Sequence, residues 1–260
     1  MNQKLPLSVA IITKNESKNL SDCLASVNFA DQIVVVDSGS TDNTVDIATS
    51  FGCVVFIEPW HGFGLQKQFA LDKCINPWIL LLDADERIPG ETAAVIEQIV
   101  TEEPAIIKGY RFPRRNYFKG RWIRHLGWWP DPVTRLFQKD CGRMSKALVH
   151  ESVEISGSVK MLDVPIYHYT ENSLSQILLK IDHYSTLGAE EAHQSGKRSS
   201  VYSASFRAFL VFLHNYLLKG GFLEGKQGLT LSITDSVNKF FKYAKLEELN
   251  NASKNPAPQP

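Results

Sequence analysis

Four short runs, 8-SVAIIT-13, 33-IVVVD-37, 54-VVFIE-58 and 78-WILLLD-83, are apolar at consecutive positions rather than at alternate ones. A strand that shows apolar side chains to both faces of a sheet needs both faces covered, the condition of a parallel sheet layered between helices. Helical stretches separate the runs. After Asn15, Leu20, Cys23, Leu24 and Val27 share one face, and after Thr41, Val45, Ala48 and Phe51 do. Strand alternating with helix predicts βαβ units and an α/β class.

In such sheets the carboxyl ends of the strands open onto the ligand crevice. Polar residues follow each run at that end: Thr13 to Glu16, Asp37 to Asp42 and Asp83 to Glu86. Asp, Ser, Asn and Gly also serve as ordinary turn and cap residues. The most pointed of these ends is 79-ILLLDADERIPG-90, where an apolar run stops on two aspartates one residue apart. On an extended backbone residues i and i+2 face the same side, so Asp83 and Asp85 are expected to face one ligand while Ala84 leaves the backbone open. Two carboxylates make a hard-oxygen site suited to Mg²⁺ or Mn²⁺ shared with a substrate's phosphate oxygens.

From about Gly109 the pattern changes to shorter, aromatic-rich runs, 109-GYRFPR-114, 134-TRLFQ-138 and 164-VPIYHYT-170, read as strands that complete a mixed sheet. Beyond Asn172 the chain reads as helical. Ser173 with Gln176 resembles a capping box, and Leu174, Ile177, Leu178, Ile181 and Tyr184 recur at helical spacing. Helical stretches around 201–218 and 229–249 follow, the first ending at Gly220 and Gly221. The polar, proline-rich 250-NNASKNPAPQP-260 is expected to be a flexible tail.

A chain of 260 residues with a formal charge of zero can hold a substantial core in one or two domains. No basic segment followed by an apolar stretch opens it, so cytoplasmic residence is expected. Cys23, Cys53, Cys74 and Cys141 show neither C-x-x-C pairing nor nearby histidines, which predicts reduced, buried thiols. The longest apolar run, 208-AFLVFLHNYLL-218, is shorter than the ~20 residues that cross a bilayer.

Taken in order, 11-IITKNE-16, 33-IVVVDSGSTDNT-44, 64-GLQKQFAL-71 and 79-ILLLDADE-86 resemble the nucleotide-sugar-binding half of family 2 glycosyltransferases of the GT-A fold. More narrowly, 128-WWPDPVTRLF-137, 149-VHESV-153 and 220-GGFLEGKQGL-229 resemble bacterial lipopolysaccharide or lipooligosaccharide core β-1,4-glucosyltransferases. The resemblance implies a GT-A domain over 1–171, with a nucleotide-sugar-binding half (1–107) and an acceptor-side half (108–171), then a helical region over 172–249 and the tail over 250–260.

It also implies roles. Thr13 and Glu16 would line the base and ribose pocket, and Asp37 would accept from the uracil N3. Ser38 stands where many relatives carry a second acid. Lys67 would face the diphosphate, Asp83 the ribose and the metal, Ala84 the nucleotide sugar, and Asp85 the metal. Glu151 would be the base that takes the acceptor proton in an inverting displacement, with His150 its rival and Asp131 the next carboxylate. The activity implied is transfer of a hexose, glucose from UDP-glucose, in β-linkage to the inner-core heptose of lipopolysaccharide. Another lipid-linked or protein acceptor, or a catalytically inactive nucleotide-sugar-binding subunit, is the alternative. A nucleotidyltransferase would need a glycine-rich phosphate loop after the first strand, and 13-TKNESKN-19 has none.

The stretch 108-KGYRFPRRNYFKGRWIRHLGWW-129 holds seven lysines and arginines and no acid. Arg114 and Arg115 could meet acceptor phosphates, and Trp128 and Trp129 could stack on sugar faces. A solvated edge strand with tryptophans partly in the core is the plainer reading. No recognition helix or RNA-binding motif accompanies the cluster, so nucleic acid is not expected as a partner. The apolar stripe through Phe206, Phe209, Leu210, Leu213 and Leu217, with Lys219 beside it, reads as core or subunit contact and also permits peripheral attachment to the cytoplasmic face of an inner membrane.

Overall fold

The computed structural model describes residues 4–102, 106–145, 152–170 and 173–252. By internal contacts the chain forms two compact units: 1–115 with 130–169, and 116–129 with 170–260. The acceptor-side half expected over 108–171 is thus shared between them.

In the first unit β1 (Leu5–Thr13), α1 (Leu20–Ser26), β2 (Ala30–Asp37), α2 (Thr44–Ser50), β3 (Val54–Ile57), α3 (Phe63–Asp72) and β4 (Trp78–Asp83) alternate as the pattern predicts. A two-residue β5 (Glu86–Arg87) and α4 (Gly90–Thr101) follow. The sheet is completed by β6 (Gly109–Phe118), a short β7 (Arg121–Trp122), β8 (Pro132–Gln138), β11 (Val159–Met161) and β12 (Ile166–Tyr169), while β9 (Gly142–Met144) and β10 (Val153–Ile155) form a separate ribbon. Strand order is β3-β2-β1-β4-β8-β6-β12-β5. The first four strands are parallel, and β8 enters antiparallel to β4.

Both faces of the parallel strands are covered. Leu7, Val9 and Ile11 of β1 pack with Leu20, Cys23 and Leu24 of α1 and Ile96 of α4, whereas Ala10 and Ile12 pack with Val34, Val36 and the α3 residues Ala70 and Leu71. The exception is β3, read as buried on both faces. It is the edge of the sheet, its Val54 and Ile57 are exposed, and an apolar run alone cannot tell an edge strand from a central one. On α2 the buried residues are Thr44 and Ala48, and Phe51 is exposed.

The second unit contains α5 (Leu174–Gln194), α6 (Val201–Leu213) and α7 (Gly225–Ala252), with a π-helical turn over His214–Leu218 and a 3₁₀ turn over Gly221–Glu224. Ser173 caps no amide of α5 with its side chain, so the expected capping box is absent; the box that forms is Ser200 with Ser203 at α6. Of the α5 stripe, Ile181 is buried, but Leu174, Leu178 and Tyr184 are exposed. The helix stop falls where Gly220 adopts φ 71, the left-handed value glycine takes without strain. Residues 250–252 of the expected tail are helical, and the remainder lies outside the described residues.

Segment 116–129 is bound into this unit. Phe118, Ile123 and Leu126 form a core with Leu231 of α7. Glu224, 3% exposed, accepts from the amides of Arg124 (2.9 Å) and His125 (3.2 Å) and lies 2.7 Å from the His125 Nδ1 and 3.2 Å from the Arg121 Nε. Burial opposes its charge, but the His125 ring and the two amides outweigh it and hold the carboxyl below its ordinary value. Gly228 meets the backbone of Gly221 so closely that a Cβ would lie 1.9 Å from the Gly221 oxygen.

The four cysteines are free. Cys23 and Cys74 are buried and Cys53 and Cys141 half-buried, with burial pushing the Cys53 thiol up to about 11 and that of Cys74 to about 12.

Candidate active site

Parallel register decides what meets at the carboxyl edge. Thr13 pairs with Asp37 across β1 and β2, and Ile12 pairs with Asp83 across β1 and β4, so Thr13 and Asp37 share one level and Asp83 ends the neighbouring strand one residue short of it.

Asp37 is fully buried. Its Oδ1 accepts from the amides of Gly39 (2.9 Å) and Ser40 (2.7 Å), and its Oδ2 from the hydroxyls of Thr13 (3.0 Å) and Ser40. The carboxylate therefore shapes the turn after β2. The loops after β1 and β2 are fastened to each other: Asn15, at φ 56, accepts from the Thr41 amide, and the Glu16 amide donates to the Thr44 hydroxyl. The Ser17 amide donates to Asp42, whose pKa falls to about 2 through its bonds from Thr44 and Ser17. Glu16 itself is half-buried and accepts from the Asn19 side chain. Behind the turn, Gln66 donates to Ser38 and to the Glu58 carbonyl; its buried Oε1 has no partner among the described residues.

At the end of β4 the two aspartates diverge. The strand stops at Asp83, and Ala84–Asp85 form a turn into β5, so the same-side relation expected from an extended backbone does not apply. Ala84 is 4% exposed. Asp83 lies 2.6 Å from the Lys67 Nζ of α3 and 2.5 Å from the Arg135 Nη2 of β8. Burial disfavours its charge, but these two cations outweigh that and hold the carboxyl well below the usual carboxylate range. Asp85 lies 3.3 Å from the His168 Nε2 of β12. Burial lowers the pKa of that imidazole, and the bond to Asp85 more than restores it, for a net rise.

Arg135 and Glu86 are the residues the sequence reading missed. Arg135, 6% exposed, bridges Asp83 and the fully buried Glu86 (2.6 Å), and its buried Nε has no partner among the described residues. Glu86 also accepts from the Asp83 amide (3.2 Å) and lies 3.4 Å from the Arg114 Nη1. The available signal was an arginine inside the apolar run 134-TRLFQ-138, because a charge in a buried strand needs a partner.

Arg114 and Arg115, both expected to meet acceptor phosphates, are successive residues of β6 and alternate along it. Arg114 grips Asp131 with its Nε (3.0 Å) and Nη2 (2.8 Å), and Arg115 lies over the Tyr167 ring with its Nη1 3.4 Å from the hydroxyl. Asp131 stands at φ 38, a left-handed value rare outside glycine and asparagine and often kept at functional positions. Trp128 and Trp129 belong to the second unit. Trp128 packs on Phe118 at the wall of a cavity of about 280 Å³ that also holds Tyr184, Asp235 and Asn238, and Trp129 meets Trp122 edge to face. Glu151 and His150 lie outside the described residues.

The donor set fits a divalent cation of the kind that shares a substrate's phosphates. No group of three or more His, Cys, Asp or Glu among the described residues forms a closed cage, so the fit is to a cation that takes one or two carboxylates from protein, which Asp85, and Asp83 on release from Lys67 and Arg135, would supply.

A mostly parallel sheet with covered faces, whose polar carboxyl edge bears carboxylates and cations, defines an α/β protein with its ligand crevice at that edge. The family model described as glycosyl transferase family 2 matches residues 8–152, and the chain belongs to that family; its architecture is the GT-A fold. It is 34% identical to a lipopolysaccharide core biosynthesis glycosyltransferase, LpsC, of Rhizobium meliloti (strain 1021), over 94% of this chain and 92% of that one. It is 31% identical to an uncharacterized glycosyltransferase of Rickettsia prowazekii (strain Madrid E), over 96% and 89%. Among solved structures, S. aureus TarS in complex with UDP-GlcNAc aligns with a TM-score of 0.45 at 14% identity, covering 95% of this chain and 92% of that one. No helix among the described residues is long and apolar enough to cross a membrane.

Proposed function

We propose that this glycosyltransferase transfers a hexose, glucose from UDP-glucose, in β-linkage to the inner-core heptose of lipopolysaccharide, inverting the anomeric carbon. The observation that carries the donor side is that Thr13, Asp37 and Asp83 end three adjacent strands within one residue of each other, with Lys67 and Arg135 on Asp83. The acceptor is taken from the likeness to the Rhizobium core enzyme.

In this reading Thr13 and Glu16 line the nucleoside pocket, and Asp37 takes the uracil N3 or holds the turn that does. Lys67 and Arg135, now paired with Asp83, turn toward the diphosphate. Asp83 and Asp85 hold Mg²⁺ or Mn²⁺, which when bound supplies Lewis-acid stabilisation of charge on the departing nucleoside diphosphate. His168 orients Asp85. An acceptor hydroxyl must lose its proton to a carboxylate, assigned to Glu151, with Asp131 in the grip of Arg114 as the described alternative. The acceptor's lipid places the reaction at a membrane surface, with peripheral contact on the cytoplasmic face.

The deciding experiment is mass spectrometry of the lipopolysaccharide core from a strain lacking the protein, where one hexose should be missing. Restoration of that hexose by wild type but not by Asp85→Ala, with loss of metal-dependent donor binding in the variant, supports the reading. An unchanged core refutes the acceptor assignment, and an Asp85→Ala variant with normal turnover refutes the metal site.

A further inference from the structure

Helix α6 buries its small residues and exposes its large ones. Ala204 and Ala208 are buried, and the Ser236 hydroxyl of α7 donates to the Ala208 carbonyl. On the other side Tyr202 is 85% exposed, Phe206 62% and Phe209 56%. At 3.6 residues per turn, positions 202, 206, 209 and 213 fall within an arc of about 60° on the side away from 204 and 208. Beyond the helix, Leu218 of the π-helical turn is 80% exposed, and Phe222 and Leu223 of the 3₁₀ turn are exposed as well. A run of large apolar side chains facing outward along an element and its continuation marks a surface that is covered in use.

The charges around the stripe identify the cover. Lys197 and Arg198 precede α6, and Lys219 and Lys226 flank its far end, while Arg207 lies over the Tyr243 ring of α7; the single acid from 197 to 226, Glu224, is buried and paired with Arg121 and His125. The basic loop of segment 116–129 joins the same end of the stripe: Arg121 donates to the Leu223 carbonyl (3.2 Å), and the Leu126 amide donates to the Lys219 carbonyl (2.9 Å). A second copy of the chain, meeting this face through a twofold axis, would bring basic margin against basic margin. A surface of anionic phospholipid instead offers hydrocarbon to the aromatic stripe and headgroup charge to its margin.

We propose that the outward face of α6 and the turns that follow it docks in the plane of an anionic membrane leaflet. This deepens the membrane contact stated above and rests on that reading for its purpose, while its geometry is internal to the helical unit. The test is co-sedimentation of the full chain with vesicles of phosphatidylcholine mixed with phosphatidylglycerol, against pure phosphatidylcholine, without nucleotide sugar or acceptor. Binding to the mixed vesicles, weakened by salt and at least about tenfold lower in the double variant Phe206→Glu, Phe209→Glu, is expected. Ile75→Glu, at an exposed apolar position of the first unit, should bind as wild type. Wild type that stays in the supernatant, or a double variant that binds equally, overturns the proposal. So does a dimer in analytical ultracentrifugation that the double variant dissolves, which would make the face a contact between copies. UDP release with a soluble acceptor, measured on the same proteins, reads the sugar-transfer assignment separately, so either can fail without the other.

Discussion

Asp131 and Glu151 divide the question of the base between a position with defined geometry and one carried by resemblance. Arg114 binds Asp131 through two nitrogens and reaches Glu86 with the third, so the carboxylate is fixed on the same cluster that holds Asp83. If Glu151 is the base, Glu151→Gln should keep donor affinity and lower kcat by roughly 10²- to 10⁴-fold, while Asp131→Asn and His150→Gln do less. If the loss follows Asp131→Asn instead, with Glu151→Gln near normal, the role belongs to Asp131. Single-turnover rates separate this from slow product release. Little of the Arg135 network could be read from sequence, because Arg135 and Asp83 are 52 residues apart and only the antiparallel insertion of β8 beside β4 brings them together. The relation of Asp83 to Asp85 was not legible, since the strand ends at Asp83, two residues before the extended backbone that the alternation argument needs would end.

The glycine-rich turn between the π-helical turn and α7 holds a close backbone approach. Gly221 and Gly228 are in backbone contact, and Glu224 between them closes over the amides of Arg124 and His125. Gly228→Ala should cost about 1–3 kcal/mol through overpacking, seen as a lower denaturant midpoint with an unchanged slope. Glu224 also gives the unit a pH dependence. Its folded pKa lies below the unfolded value, so its contribution is complete above the unfolded pKa of about 4.3 and fades as pH falls through the folded one. Thermal unfolding of wild type should therefore lose stability below about pH 4 more steeply than Glu224→Gln, and parallel curves would show the carboxylate is not linked to folding. Helices and strands were legible wherever periodicity reports burial, as in α1 and β1. The exposed faces of α5 and α6 were not, because a spacing of apolar residues marks a face without saying what covers it.

At the scale of the whole chain the two units are interleaved in sequence. A boundary at residue 171, natural from the sequence pattern, separates Phe118, Ile123 and Leu126 from Leu231. A chain ending there should be less soluble or bind a hydrophobic dye more strongly than residues 1–260; a soluble, cooperatively folding 1–171 would show that segment 116–129 finds other cover. The same interleaving sets a timetable during synthesis. About 100 residues lie between Leu126 and Leu231, and at ~5–20 residues per second the ribosome takes ~5–20 s to deliver the second after the first. For that interval Phe118, at the end of β6, and Ile123 and Leu126, beyond β7, are in the nascent chain without their α7 neighbour, while the first residues of β6 can pair with β8 as soon as it emerges. A pause or rare-codon delay within 170–231 would lengthen the interval, and trigger factor or a similar holdase should crosslink to this stretch more than to any other part of the nascent sheet.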